Sequence, residues 1–70
     1  MEFAEKLITL RKSRELTQEQ LAEQLNVSRQ SISKWESGQA MPDLDRVVRM
    51  SELFGVSMDS LLKDSPGPDT

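Results

Sequence analysis

Five polar residues, Arg29, Gln30, Ser33, Lys34 and Ser37, share one arc when residues 29–37 are wound at about 100° per residue. The opposite arc carries Ser28, Ser31, Ile32 and Trp35. One side of such a helix packs. The other presents a guanidinium, an amide, an ammonium and hydroxyls. Arginine pairs bidentately with guanine, glutamine with adenine, and serine serves several base edges of a major groove. A polar arc on a helix is ordinarily no more than a solvated face, so its meaning depends on how the helix is held. Trp35 could stack on an unpaired base, but its place beside Ile32 on the apolar arc makes it a core residue. Other chemistry is poorly served. With no histidine and no cysteine, the chain lacks the commonest general base and the commonest metal ligands. Its serines have no histidine that would activate them. No catalytic residue, metal site or cofactor is expected.

The elements that hold residues 29–37 are legible from their caps. Leu16-Thr17 is followed by Leu21, and Val27-Ser28 by Ile32. In each case a hydroxyl residue can accept from free N–H groups of a first helical turn. The apolar residue before it can staple to the apolar residue four positions after the cap. Gln20 completes a capping box with Thr17. Helix two is therefore expected over 18–25, with Leu21, Ala22 and Leu25 inward. Asn26, which tolerates a left-handed backbone, turns the chain into helix three, 29–37, and Gly38 stops it. Two capped helices joined by a tight turn spell a helix-turn-helix.

Around this unit the pattern predicts a first helix over 2–13, with Phe3, Leu7, Leu10 and Arg11 on one side. A fourth helix, 44–54, is capped by Asp43 and ended by Gly55, with Leu44, Val47, Val48, Ser51 and Phe54 as its buried stripe. Val56-Ser57 with Leu61 repeats the staple and cap and opens a last short helix to about Leu62. The fold class expected is all-α: a five-helix bundle forming one domain over residues 1–62. Residues 63–70, with Pro66, Gly67 and Pro68 and no apolar residue, read as a flexible tail or the start of a linker.

The whole pattern resembles the Cro/phage-repressor-type (XRE family) helix-turn-helix DNA-binding domain, of lambda-repressor-like fold. The resemblance is carried by Arg11, Leu16-Thr17-Gln18, Leu21-Ala22, Leu25, Val27-Ser28, Ile32-Ser33, Trp35-Glu36 and Gly38. It continues through Pro42, Leu44, Leu53-Phe54-Gly55-Val56-Ser57 and Leu61-Leu62, and so covers roughly residues 3–62. Two positions depart from it: Asn26 stands at a turn position often occupied by glycine, and Gln39-Ala40-Met41 carries no basic residue for phosphates. The resemblance implies that helix three enters the major groove, with Arg29, Gln30, Ser33 and Lys34 facing bases. It implies phosphate contacts for Gln18, Ser28 and Ser37, with Gln18 also bracing Arg29. It further implies a partly buried ion pair, Arg11 with Glu36, tying helix one to helix three. A phosphate contact positions a protein on DNA without reading its sequence, so Gln18 is expected to set affinity rather than base preference.

Charge opposes this reading at first sight. Net charge is −3, with 9 basic and 12 acidic residues, whereas a nucleic-acid-binding domain is typically basic. The imbalance is uneven. Residues 1–36 hold six of each sign, and Gln24 to Trp35 holds two basic residues and no acidic one. Helix three can therefore present a locally positive face on a mildly acidic protein. Nonspecific affinity should be weak, and specificity must come from base contacts and pairing of two copies. The expected partners are double-stranded DNA and a second copy of the chain on DNA, in a transcriptional regulator, expected to be a repressor. A protein-interaction module, such as an antitoxin-like partner on the same fold, is the alternative. No apolar run approaches the roughly 20 residues that span a bilayer. The absence of cysteine fits a reducing interior, so no membrane contact and a cytoplasmic location are expected.

Overall fold

The computed structural model describes residues 2–62, which form five α-helices. These are α1 (Phe3–Ser13), α2 (Gln18–Leu25), α3 (Arg29–Glu36), α4 (Leu44–Phe54) and α5 (Met58–Leu62). The tail expected over residues 63–70 lies outside the described residues. Helix α2 packs on α3, α1 lies against α3 and α5, and α4 closes the bundle against α5 and α2. Among the described residues no helix is long and apolar enough to cross a membrane.

Short helices need their free backbone groups satisfied at both ends, and the starts of α2 to α5 are met as the caps predict, whereas Glu2 ahead of α1 makes no side-chain cap. The Thr17 hydroxyl accepts from the Gln20 N–H at 3.0 Å, and the Gln20 side chain accepts from the Thr17 N–H at 2.9 Å. Ser28 caps the N–H of Ser31, Asp43 that of Arg46, and Ser57 that of Ser60. The ends share a second device. Each of the first four helices is followed by a residue with positive φ: Glu15, Asn26, Gly38 and Gly55. The next N–H then reaches back to a carbonyl five residues earlier: Leu16 to Arg11, Val27 to Ala22, Gln39 to Lys34 and Val56 to Ser51. This is the hydrogen bond of a Schellman ending. Leu16, Val27 and Val56 all pack against the core, so each closes one helix and staples the next.

Phe3, Leu7, Leu21, Leu25, Ile32, Trp35, Val47, Met50, Phe54 and Leu61, with Ala22, make up the buried core. Trp35 sits in this core, on the apolar arc of α3. Two boundaries and one stripe differ from the sequence expectation. Helix α1 begins at Phe3 with Glu2 outside it, and α3 ends at Glu36 rather than residue 37, with Ser37 as its C-cap. On α4, Leu44 is 65% exposed, whereas Met50 is wholly buried. At about 100° per residue, Val47, Met50 and Phe54 centre the buried arc roughly a quarter turn from Leu44. Ser51 lies at its edge, half-buried; Val48 stands further round than Leu44 and is half-buried too.

Candidate nucleic-acid interface

Three helices converge where α3 ends and α2 begins. Arg11, on the last turn of α1, donates through Nε to Glu36 Oε2 at 2.7 Å and through Nη2 to Glu36 Oε1 at 3.2 Å. The two side chains are only 13% and 6% exposed, and the paired bonds give the fork geometry that suits arginine and carboxylate. Arg11 Nη1 also donates to the Leu16 carbonyl at 2.8 Å. One guanidinium thus holds both the end of α3 and the chain entering α2. That fixes the angle at which the second helix of the motif is presented.

Gln18, the first residue of α2, lies against this pair. Its Nε2 donates to Glu36 Oε1 at 3.0 Å, and its Oε1 accepts from Arg29 Nη1 at 3.3 Å. A continuous chain of hydrogen bonds therefore runs from Arg11 through Glu36 and Gln18 to Arg29 on the outer face. No buried side-chain nitrogen or oxygen among the described residues is without a partner. The sequence expectation contained a brace between Gln18 and Arg29 and a separate ion pair, but not the Gln18–Glu36 bond that joins them. That bond links residues 18 positions apart across two helices, and no local pattern signals it.

The remaining residues of the outer arc are placed as follows. Arg29, Gln30 and Lys34 are exposed and Ser33 is half-buried, all on α3. Ser28 stands at the N-cap, its hydroxyl 3.3 Å from that of Ser31 as well as accepting from the Ser31 N–H. Ser37 donates its hydroxyl proton to the Lys34 carbonyl at 3.1 Å, so it would have to give up that bond to donate to a phosphate. The Lys34 carbonyl also receives the N–H groups of Gln39 and Ala40, which seals the C-terminal end of α3. Behind the motif, Arg46 and Arg49 on α4 reach the carbonyls of Asn26 and Gln24 at 3.4 Å each. Positive charge thereby meets the negative end of the α2 dipole.

A short capped helix, a left-handed turn and a second helix with a polar outer arc define a helix-turn-helix domain of the Cro/phage-repressor type. The chain belongs to the helix-turn-helix family, whose model matches residues 7–61. It is 56% identical over 62 residues to the HTH-type transcriptional activator BcrR of Enterococcus faecalis, a match covering 89% of this chain and 30% of that protein. It is 41% identical over 61 residues to YonR, an uncharacterized prophage-derived HTH-type transcriptional regulator of Bacillus subtilis (strain 168), covering 87% of this chain and 56% of that one. The chain thus spans well under two thirds of these relatives. Among solved structures, the P22 c2 repressor in complex with a synthetic operator superposes with a TM-score of 0.86 at 28% identity, covering 93% of this chain and 98% of that one.

Proposed function

We propose that this chain is the DNA-reading domain of a transcriptional regulator, residues 1–62, binding double-stranded DNA with α3 in the major groove. Arg29, Gln30, Ser33 and Lys34 would meet base edges, with Arg29 the main determinant. Gln18 and Ser28, at the N-terminal ends of α2 and α3, would meet phosphates, where free N–H groups favour an anion. Ser37 would do so at the far end of α3. The observation that carries the reading is the outward arc of α3 itself. It is polar, free of acidic residues and held at its inner end by the Arg11–Glu36 pair. A superposing neighbour was solved on an operator, which supports the same docking.

A single short helix reads only a few base pairs, too few to select a site in a genome. The domain is therefore expected to bind as a two-fold pair on half-sites about one helical turn apart. Met41 and Leu44 are 58% and 65% exposed, and Leu62 is 46% exposed; among the described residues these are the large apolar side chains available to a second copy. Met58, by contrast, packs against the core. Repression by occupying promoter DNA is the mode we favour. A relative named an activator makes reporter activation the competing outcome.

The first test is a titration of random-sequence duplex at several salt concentrations. With so few basic residues on the arc, binding should be weak and its slope in log[salt] shallow, a few phosphates at most. Replacing Arg29 or Gln30 by alanine should then cost about 1–3 kcal/mol on a selected duplex. Absence of salt-dependent binding to any duplex would overturn the reading.

A further inference from the structure

The inference rests on the DNA-reading function proposed above and concerns a residue that would not touch DNA. Glu36 is 6% exposed in its side chain and pinned by two bonds from Arg11. Gln18 lies between it and Arg29, donating to the first at 3.0 Å and accepting from the second at 3.3 Å. An ionised carboxylate only accepts and a guanidinium only donates. An amide between them has one orientation that satisfies both ends. Turned over, it would set oxygen against oxygen and N–H against N–H.

We propose that Glu36 is a positioning residue for sequence readout: its buried carboxylate, acting through the amide of Gln18, fixes the guanidinium of Arg29. Only Nη1 of Arg29 is engaged by Gln18, and a guanidinium carries five N–H donors. Donors therefore remain for a bidentate pair with a base. An arginine already ordered loses less rotamer freedom on binding. Its direction also decides which base edge it can reach. The role of Gln18 changes accordingly. Its loss should alter base preference as well as affinity, unlike a residue that only touches a phosphate.

The diagnostic variant is Glu36→Gln, which keeps shape and removes the carboxylate. The new amide has one oxygen for three donors: set toward Arg11 Nε, it turns its NH2 to Arg11 Nη2 and Gln18; set toward those two, it turns its NH2 to Arg11 Nε. In the first orientation the Gln18 amide turns over and presents N–H groups to Arg29; in the second it keeps its direction but is held by a neutral oxygen, a weaker acceptor than a carboxylate. Gln18→Met cuts the same connection at its exposed end and leaves the Arg11–Glu36 pair intact. Two measurements are needed on wild type, both single variants and the double variant. One is nuclear magnetic relaxation of the Arg29 guanidinium in the free protein. The other is base preference by selection from a random duplex library. Wild type should show a restricted guanidinium, and both single variants a mobile one. Discrimination at the base read by Arg29 should fall about fivefold or more in each, out of the roughly 5–150-fold a bidentate pair supplies. The double variant should fall no further than Gln18→Met alone. The inference is overturned if Arg29 is as mobile in wild type as in Gln18→Met. It is also overturned if Glu36→Gln shifts preference equally with and without Gln18, which would mean that it acts through general loosening of the fold. If Glu36→Gln does not fold, Glu36→Asp, which keeps a charge for Arg11 but draws it back from Gln18, takes its place in the same two readouts. A wild type that selects no site removes the proposed function and this inference together. A selected site with unmoved preference in the variants removes only the inference.

Discussion

The junction of α1, α2 and α3 and the segment leading from α3 into α4 are built on opposite terms. At the junction, Arg11, Glu36 and Gln18 satisfy one another, and no buried polar side-chain atom is left over among the described residues. In the segment from Met41 to Leu44, two large apolar side chains stand in solvent. The first region is closed within a single chain; the second leaves apolar surface for something else to cover. A domain this size buries only about 60% of its unfolded surface and has little stability to spare. Closing the junction internally means that the polar arc of α3 is positioned before any partner arrives. The exposed segment can then serve association without disturbing it.

The comparison breaks most sharply at Arg11. Arg11→Ala should destabilise the fold by about 3–5 kcal/mol, because it leaves the Glu36 carboxylate buried without its partner and the Leu16 carbonyl without its donor. Thermal unfolding of Arg11→Ala, Glu36→Ala and the double variant checks this. The double variant should be less destabilised than the sum of the single ones. Strict additivity would show that the pair does not act as a unit.

How legible this was in the sequence varied by region for physical reasons. The helix starts, the turn at Asn26 and the stops at Gly38 and Gly55 were readable because caps and left-handed turns are local devices with narrow residue preferences. The left-handed turn at Glu15 was not, because glutamate carries no such preference. Its only signal was Leu16, the apolar residue that follows it, as Val27 follows Asn26 and Val56 follows Gly55. A helical stripe extrapolated to a terminal residue misplaces Leu44, because periodicity does not say which neighbour covers the first turn. Met50, outside the expected stripe, is wholly buried with Val47 and Phe54 on the α4 face. At the candidate site, residue types and spacing gave the outer arc and the separate pairs. The bond from Gln18 to Glu36 depends on how two helix ends meet, which periodicity does not contain.

The next effect tests the caps that hold the two helices of the motif. Thr17→Ala and Ser28→Ala should each lower stability by about 1 kcal/mol, measured by urea unfolding. Thr17→Ala should be slightly the worse of the two, since its cap bond is the shorter, 3.0 Å against 3.3 Å; the reciprocal bond from the backbone N–H of residue 17 to Gln20 would survive. Equal, negligible losses would mean that tertiary packing alone sets these helix starts.

A smaller effect of opposite sign is expected at Glu15, whose φ of 57° strains any residue with a Cβ. Glu15→Gly should raise stability by a few tenths up to about 1 kcal/mol, the relief of the left-handed conformation exceeding the added freedom of the unfolded chain. A loss of stability in the same unfolding experiment would show that the turn is relaxed as it stands.

The smallest change in folding belongs to the open region. Leu44→Ser should leave monomer stability within about 0.5 kcal/mol, yet weaken pairing of two copies on a duplex carrying two half-sites, read by sedimentation. A loss of folding stability well above that range would mean that Leu44 is covered within the monomer.

The claim on which the rest depends is that the outer arc of α3 reads bases. It is tested most directly by selecting bound duplexes from a random library with wild-type protein and with Arg29→Ala. The expected result is a two-fold symmetric site with half-sites about one helical turn apart, whose preference at one base pair in each half collapses in the variant. Enrichment of the same site with undiminished preference by Arg29→Ala, or no enrichment by wild type, would contradict it.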